Sequence, residues 1–164
     1  MKHNRKLIVL VGNIGSGKTT LAKQYVKEGH IIIARDALRY AIGGGKYIFD
    51  LELESAVWSS EQHMIENFMK TGVNILIDEV GLTKRMRLPY INLANKYRYH
   101  ISALILPEVS MKESVDRRMK SPHGQPDREL WESIWTQFNA MYQPPTCADG
   151  FNRVIRIEGK DICI

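Results

Sequence analysis

The stretch Gly12-Asn-Ile-Gly-Ser-Gly17-Lys18-Thr19 follows directly on the apolar run Leu7-Ile-Val-Leu-Val11 and satisfies the pattern G-x-x-x-x-G-K-[ST]. No other feature narrows the possible folds of this chain as much. An unbroken apolar run that ends at a glycine has the form of a strand buried on both faces. The residues from Lys18 to Glu28, stopped by Gly29, have the form of a helix. Between the two, glycines let the backbone curl until its N–H groups point inward at phosphate oxygens. The following helix adds its positive N-terminal end. Gly12, Asn13, Gly15, Ser16, Gly17, Lys18, Thr19 and Thr20 are therefore the candidate nucleotide-binding residues. In such a loop the lysine reaches the β- and γ-phosphates and the Thr19 hydroxyl binds Mg²⁺. The competing reading is a glycine-rich turn with a surface lysine, which has no use for the flanking strand and helix.

The rest of the chain alternates in the same way. Strands are expected at Ile31–Ala34, Val73–Ile77, Ile101–Leu106 and Arg153–Ile157. Helices are expected from Asp36 (as cap) to Ala41, about Leu51 to Thr71, Thr83 (as cap) to about Tyr97, Ser110 to about Lys120, and Asp127 to about Tyr142. The apolar stripes Val57, Trp58, Met64, Ile65, Phe68, Met69 and Leu130, Trp131, Ile134, Trp135, Phe138, Met141, Tyr142 are read as core. Five strands separated by helices give an α/β fold, a doubly wound parallel sheet covered on both faces. At 164 residues the expectation is one domain over 1–164, with a small lid at about 111–126.

Composition bounds the function. Two cysteines, Cys147 and Cys163, form neither a spaced metal motif nor a disulfide framework. The apolar run after Lys6 is shorter than the roughly 7–15 residues of a signal peptide core. No stretch approaches the roughly 18 apolar residues of a spanning helix. The expectation is a soluble cytoplasmic protein, of a cell or of a phage-infected host, with no membrane partner. The net charge of +5 suits an anionic partner and also suits simple solubility. Lys84 to Arg128 holds ten Lys+Arg against four Asp+Glu, so the basic excess follows the third strand and runs through the lid. That placement favours a footprint for a polyanion.

Carboxylates mark the ends of the second and third strands. Asp36 follows the second, at the edge where open α/β sheets bind ligands. A carboxylate there can accept the proton of an attacking hydroxyl. Arg35 and Arg39 flank it as substrate-binding candidates; Arg39, three residues on, suits a phosphate clamp or an intrahelical pair with Asp36. Asp78 ends the third strand in the position of a Mg²⁺-holding carboxylate, and Glu79 beside it is a second metal- or substrate-contacting candidate. Arg117, Arg118 and Lys120 in the lid can stabilise charge on a phosphoryl group in transfer. The guanine-reading Asn-Lys-x-Asp of GTPases is missing, since Asn95-Lys96 is followed by Tyr97-Arg98.

This order of motifs resembles the kinase domain of bacteriophage and bacterial polynucleotide kinases. The phosphate loop, Arg35-Asp36-x-x-Arg39 after a short strand, the strand ending in Asp78 and the arginine-bearing lid carry the likeness over nearly the whole chain. The resemblance implies an adenylate-kinase-like P-loop fold and transfer of the γ-phosphate of ATP to the 5′-hydroxyl of DNA or RNA, an activity suited to nucleic-acid repair. It implies Lys18 and Thr19 at the phosphates and Mg²⁺, Asp36 as general base, Arg39 on a substrate phosphate, and a catalytic lid arginine at Arg117 or Arg118. Ala37 stands where phage members have a second Asp, and Glu79-Val-Gly-Leu82 replaces the family's Thr and Asn. Two other functions fit the same residues. One is a kinase of a small-molecule or modified-base hydroxyl, acting on a nucleoside, sugar or antibiotic. The other is a nucleotide-dependent regulatory module.

Overall fold

A computed structural model describes residues 5–120, 123 and 126–157, with the backbone alone of 160–163. Five parallel strands stand in the order β2-β3-β1-β4-β5: β1 Lys6–Val11, β2 His30–Ile33, β3 Asn74–Ile77, β4 His100–Ile105 and β5 Arg153–Arg156. This is the doubly wound sheet expected from the alternation. The sequence reading missed β6, Lys160–Cys163, which runs antiparallel along the β5 edge.

Helices α1 Lys18–Val26, α2 Arg35–Ile42, α3 Glu54–Thr71, α4 Lys84–Tyr97, α5 Met111–Lys120 and α6 Arg128–Met141 connect the strands. On one face of the sheet Leu7, Val9, Val11, Ile75 and Ile77 pack with Ile65 and Met69 of α3 and Tyr90, Ile91 and Ala94 of α4. On the other, Ile8, Leu10, Leu76 and Leu104 pack against Ala22 of α1. Side chains that alternate along a strand thus serve two apolar layers, which is why the strands read as unbroken apolar runs. A third cluster joins Ile14 of the phosphate loop to Val115 of α5 and Trp131 of α6.

Side-chain caps mark the starts of α4 and α6. Thr83 accepts from Met86 N at 3.1 Å and Asp127 from Leu130 N at 3.2 Å, as expected of caps. Asp36 is not a cap: the N-cap of α2 is Ala34, which lacks a capping side chain, and Asp36 lies inside the first turn. Its carboxylate is drawn away by the neighbours described below. The core stripes need correction as well. Trp58 and Phe68 of α3 and Leu130 and Met141 of α6 are exposed. Cys147 is disulfide-bonded, which two cysteines without a framework spacing gave no reason to expect. The lid loop, apart from His123 and Pro126, lies outside the described residues. Among the described residues no helix is long and apolar enough to cross a membrane.

Candidate functional site

The phosphate loop turns over the carboxyl end of β1. Gly15 sits at φ +65, and a Cβ there would meet Ser114 O at 2.5 Å. Only glycine accepts both the left-handed backbone and the approach of α5. The approach is fixed by the Ser114 hydroxyl, which donates to Ile14 O. Asn13 ties the loop to α6: its Nδ2 donates to Trp135 O at 3.0 Å while its Oδ1 accepts from Ile14 N at 2.7 Å. The first glycine is held by Gly12 N donating to Val80 O at 3.0 Å.

Lys18 lies folded along the loop, its Nζ donating to Gly12 O at 2.9 Å and Asn13 O at 2.7 Å. Burial pulls its ammonium down to about 8, with Asp78 opposing the shift and Arg118 adding to it. Asp78 extends the ladder beyond β3, its N–H donating to Ile33 O at 2.9 Å. Burial raises the Asp78 carboxyl, and a hydrogen bond with the Thr19 side chain and the charge of Lys18 oppose this. A desolvated carboxylate beside a hydroxyl, both hard oxygen donors, fits a Mg²⁺ ion. Among the described residues no group of three or more His, Cys, Asp and Glu could hold a metal ion by itself.

A cleft of about 620 Å³ runs from this loop to α2 and is lined by Lys18, Thr19, Asp36, Asp78, Arg117 and Arg118, among others. The candidates from four segments of sequence therefore share one cavity. The two lid arginines differ in what holds them. Arg117 donates to Gly15 O at 2.9 Å and pairs with Glu113 at 2.5 Å. Arg118 lies over the Trp131 ring at 4.7 Å, and its buried Nε has no hydrogen-bond partner among the described residues. Burial lowers the Arg118 guanidinium, with Asp36 opposing.

Around Asp36 the geometry realises the intrahelical pair with Arg39, one of the two sequence readings, and adds partners the sequence did not show. Arg39 is 8% exposed and lies off the cleft. Its guanidinium donates to both oxygens of Glu54, at 2.9 and 2.5 Å, and to Asp36 Oδ1 at 2.7 Å. Arg39 is thus a clasp on the candidate base. Arg35 and Glu79, both named as substrate contacts, bind each other: Arg35 N donates to Oε1 at 2.7 Å and Nη2 to Oε2 at 2.5 Å. Behind them Glu61 is fully buried, 3.8 Å from Arg35, and accepts from the Tyr90 hydroxyl at 3.1 and 3.2 Å. Burial and Glu79 push the Glu61 carboxyl up to about 7.

Sequence reasoning missed Glu54, Tyr47 and His123. Tyr47 donates to Asp36 Oδ1 at 3.0 Å, and His123 Nε2 lies 3.3 Å from Oδ2. The one available signal was that Tyr47 follows the glycine run Gly43–Gly45 and His123 sits in the lid loop. The basic excess is also spent differently. Arg87 is fully buried, donating to Gly81 O and Gln143 O; Lys84 pairs with Asp149 and Lys96 with Glu66. Of that run's cations, Arg117 and Arg118 are the ones that line the cleft.

The sheet order, phosphate loop and lid are those of a P-loop NTPase-like fold. The chain matches the AAA domain family over residues 7–145 and belongs to it. No curated protein matches it in sequence. Among solved structures it is similar to a chain of the Pnkp1/Rnl/Hen1 RNA repair complex, with TM-score 0.66 and 21% identity over 86% of this chain. It spans only 46% of that chain. It is also similar to Mycobacterium tuberculosis APS kinase CysC in complex with AMPPNP and APS, with TM-score 0.63, 13% identity, and 96% and 91% of the two chains covered. Chaetomium thermophilum Kti12 in complex with ADP-AlF3 gives TM-score 0.62 and 19% identity over 92% and 88%. At these identities the likeness is one of fold.

Proposed function

We propose that the chain transfers the γ-phosphoryl group of ATP to the 5′-hydroxyl of a DNA or RNA end. The observation that carries this reading is Asp36, a carboxylate fixed at the wall of the same cleft as Lys18 and Arg118. In the step, the acceptor oxygen forms a bond to the γ-phosphorus as the bond from that phosphorus to the β-bridging oxygen breaks. The hydroxyl proton passes to Asp36 and ADP leaves. Lys18 leaves its loop carbonyls for the β- and γ-phosphates. Arg118, whose Nε has no partner among the described residues and which has a ring behind it, meets the charge that develops on the phosphoryl oxygens. Thr19 and Asp78 would hold Mg²⁺, which supplies charge neutralisation on the phosphates when bound.

The test uses γ-labelled ATP with 5′-hydroxyl oligonucleotides, nucleosides, and no acceptor. Label on the oligonucleotide supports the reading, and label only on a nucleoside or only as free phosphate overturns it. KM for the oligonucleotide should rise steeply with salt, as counterion release requires. Asp36→Ala should abolish transfer, a loss on the order of 10²- to 10⁴-fold, and leave ATP binding intact. A small-molecule hydroxyl is the second reading. It is favoured by Arg39, whose guanidinium is engaged by Glu54 and so does not offer a clamp to a polynucleotide phosphate.

A further inference from the structure

Tyr47 stands in the connection between α2 and α3, and its hydroxyl is anchored on Asp36 Oδ1 at 3.0 Å. The phenol stays protonated, because burial and the Asp36 charge both raise it. Its ring is therefore fixed beside the candidate base. A planar heterocycle already lies on it: the His123 imidazole stacks at 4.8 Å between centroids, 21° from parallel. Tyr40 closes the group edge-on, 5.3 Å from Tyr47 and 5.7 Å from His123. Its hydroxyl is 3.0 Å from His123 Nδ1.

The two oxygens of Asp36 are unequally committed. Oδ1 accepts from Arg39 and Tyr47, whereas Oδ2 meets only His123 Nε2 among the described residues. An acceptor hydroxyl that hands its proton to Asp36 must come to Oδ2, and there it displaces the imidazole. That exchange bares the face of Tyr47 at the moment a hydroxyl-bearing sugar arrives. Burial holds His123 below its usual range, so it is neutral and leaves Asp36 without breaking a full ion pair. The charged and titratable groups facing it are Asp36, Arg118, Arg39, Tyr40 and Tyr47.

We infer that the ring of Tyr47 is the seat of the acceptor's terminal nucleobase, which takes the place His123 fills, with Tyr40 at its edge. The inference rests on the nucleic-acid reading above and adds that the enzyme reads a base as well as a hydroxyl. Base–aromatic stacking is tolerant of sequence, so the seat distinguishes a base from no base and not one base from another.

The test compares two oligonucleotides that differ only in whether the 5′-terminal nucleotide carries a base. For wild type, kcat/KM should favour the base-bearing end by roughly 10- to 100-fold. Tyr47→Leu should erase the preference. Tyr47→Phe, which keeps the ring and loses the bond to Asp36, should retain the preference while kcat falls. His123→Ala should keep the preference and lower KM. Equal use of both ends by wild type, or an unchanged preference in Tyr47→Leu, overturns the inference. Equilibrium binding of the same oligonucleotides ending in a 5′-deoxy sugar decides the point without any transfer. Tighter binding of the base-bearing end, lost in Tyr47→Leu, supports the seat even if no label is transferred. Equal binding, or no binding, overturns it.

Discussion

Glu54 accepts two hydrogen bonds from Arg39, at 2.9 and 2.5 Å, across fifteen residues of sequence and from the start of a different helix. The pair aims the third donor of Arg39 at Asp36, so α3 positions a group on α2.

Removing the Glu54 charge should therefore act on chemistry more than on binding. We expect Glu54→Gln to lower kcat about tenfold with ATP affinity unchanged, and to cost about 2 kcal/mol of stability, typical of hydrogen bonds to a charged partner. Single-turnover transfer, ATP titration and urea unfolding of one preparation read the three quantities. A kcat equal to wild type would return Arg39 to the role of substrate clamp.

Lys18 sets a pH limit on nucleotide binding. Its folded-state pKa, about 8, lies below the ordinary lysine value of 10.5. The charged form meets the phosphates, so ATP affinity should be flat below about pH 8 and weaken above it, by up to roughly tenfold per pH unit. The same shift makes the unliganded protein more stable as pH rises from 8 towards 10.5, because there the unfolded chain binds the extra proton. Isothermal titration across this range, repeated with Lys18→Arg, tests the assignment; the variant should lose the alkaline limb.

Gly15→Ala should remove nucleotide binding without unfolding the chain. An added Cβ meets the Ser114 backbone at 2.5 and 2.8 Å and faces a left-handed φ. The strain costs about 1–2 kcal/mol before any shift of α5. We expect ATP affinity to fall at least a hundredfold while circular dichroism keeps the wild-type helix signal.

Arg87 predicts stability rather than activity. It is fully buried, donates to Gly81 O at 2.8 Å and Gln143 O at 2.9 Å, and lies 3.7 Å from Asp149. Arg87→Met leaves those carbonyls and a carboxylate behind and should cost about 3 kcal/mol in urea unfolding.

How far the chain was legible depended on whether function was written locally. The phosphate loop and Asp78 follow directly on strand ends and Asp36 lies in the first turn of the helix just past one, and strand ends are visible as the last residue of an apolar run. The partners of Asp36 were not visible, because Glu54, Tyr47 and His123 come from a helix start, a loop and the lid, and only the folded chain brings them together. Arg39 was legible in part for the same reason: i,i+3 spacing shows the Asp36 pair, one of its two readings, but not the carboxylate waiting on α3. Trp58 and Phe68 were misassigned because a hydrophobic stripe wider than the buried face of a helix carries no mark of which edge stays wet. Strand β6 escaped because a short edge strand has one neighbour and no alternation of its own.

Asn13 spans the phosphate loop and α6 with its two side-chain atoms, one on Ile14 N and one on Trp135 O. A single amide thereby ties the position of the loop to that of α6. If phosphate binding shifts α6, reciprocity requires that whatever binds α6 alter the grip on phosphate by the same factor.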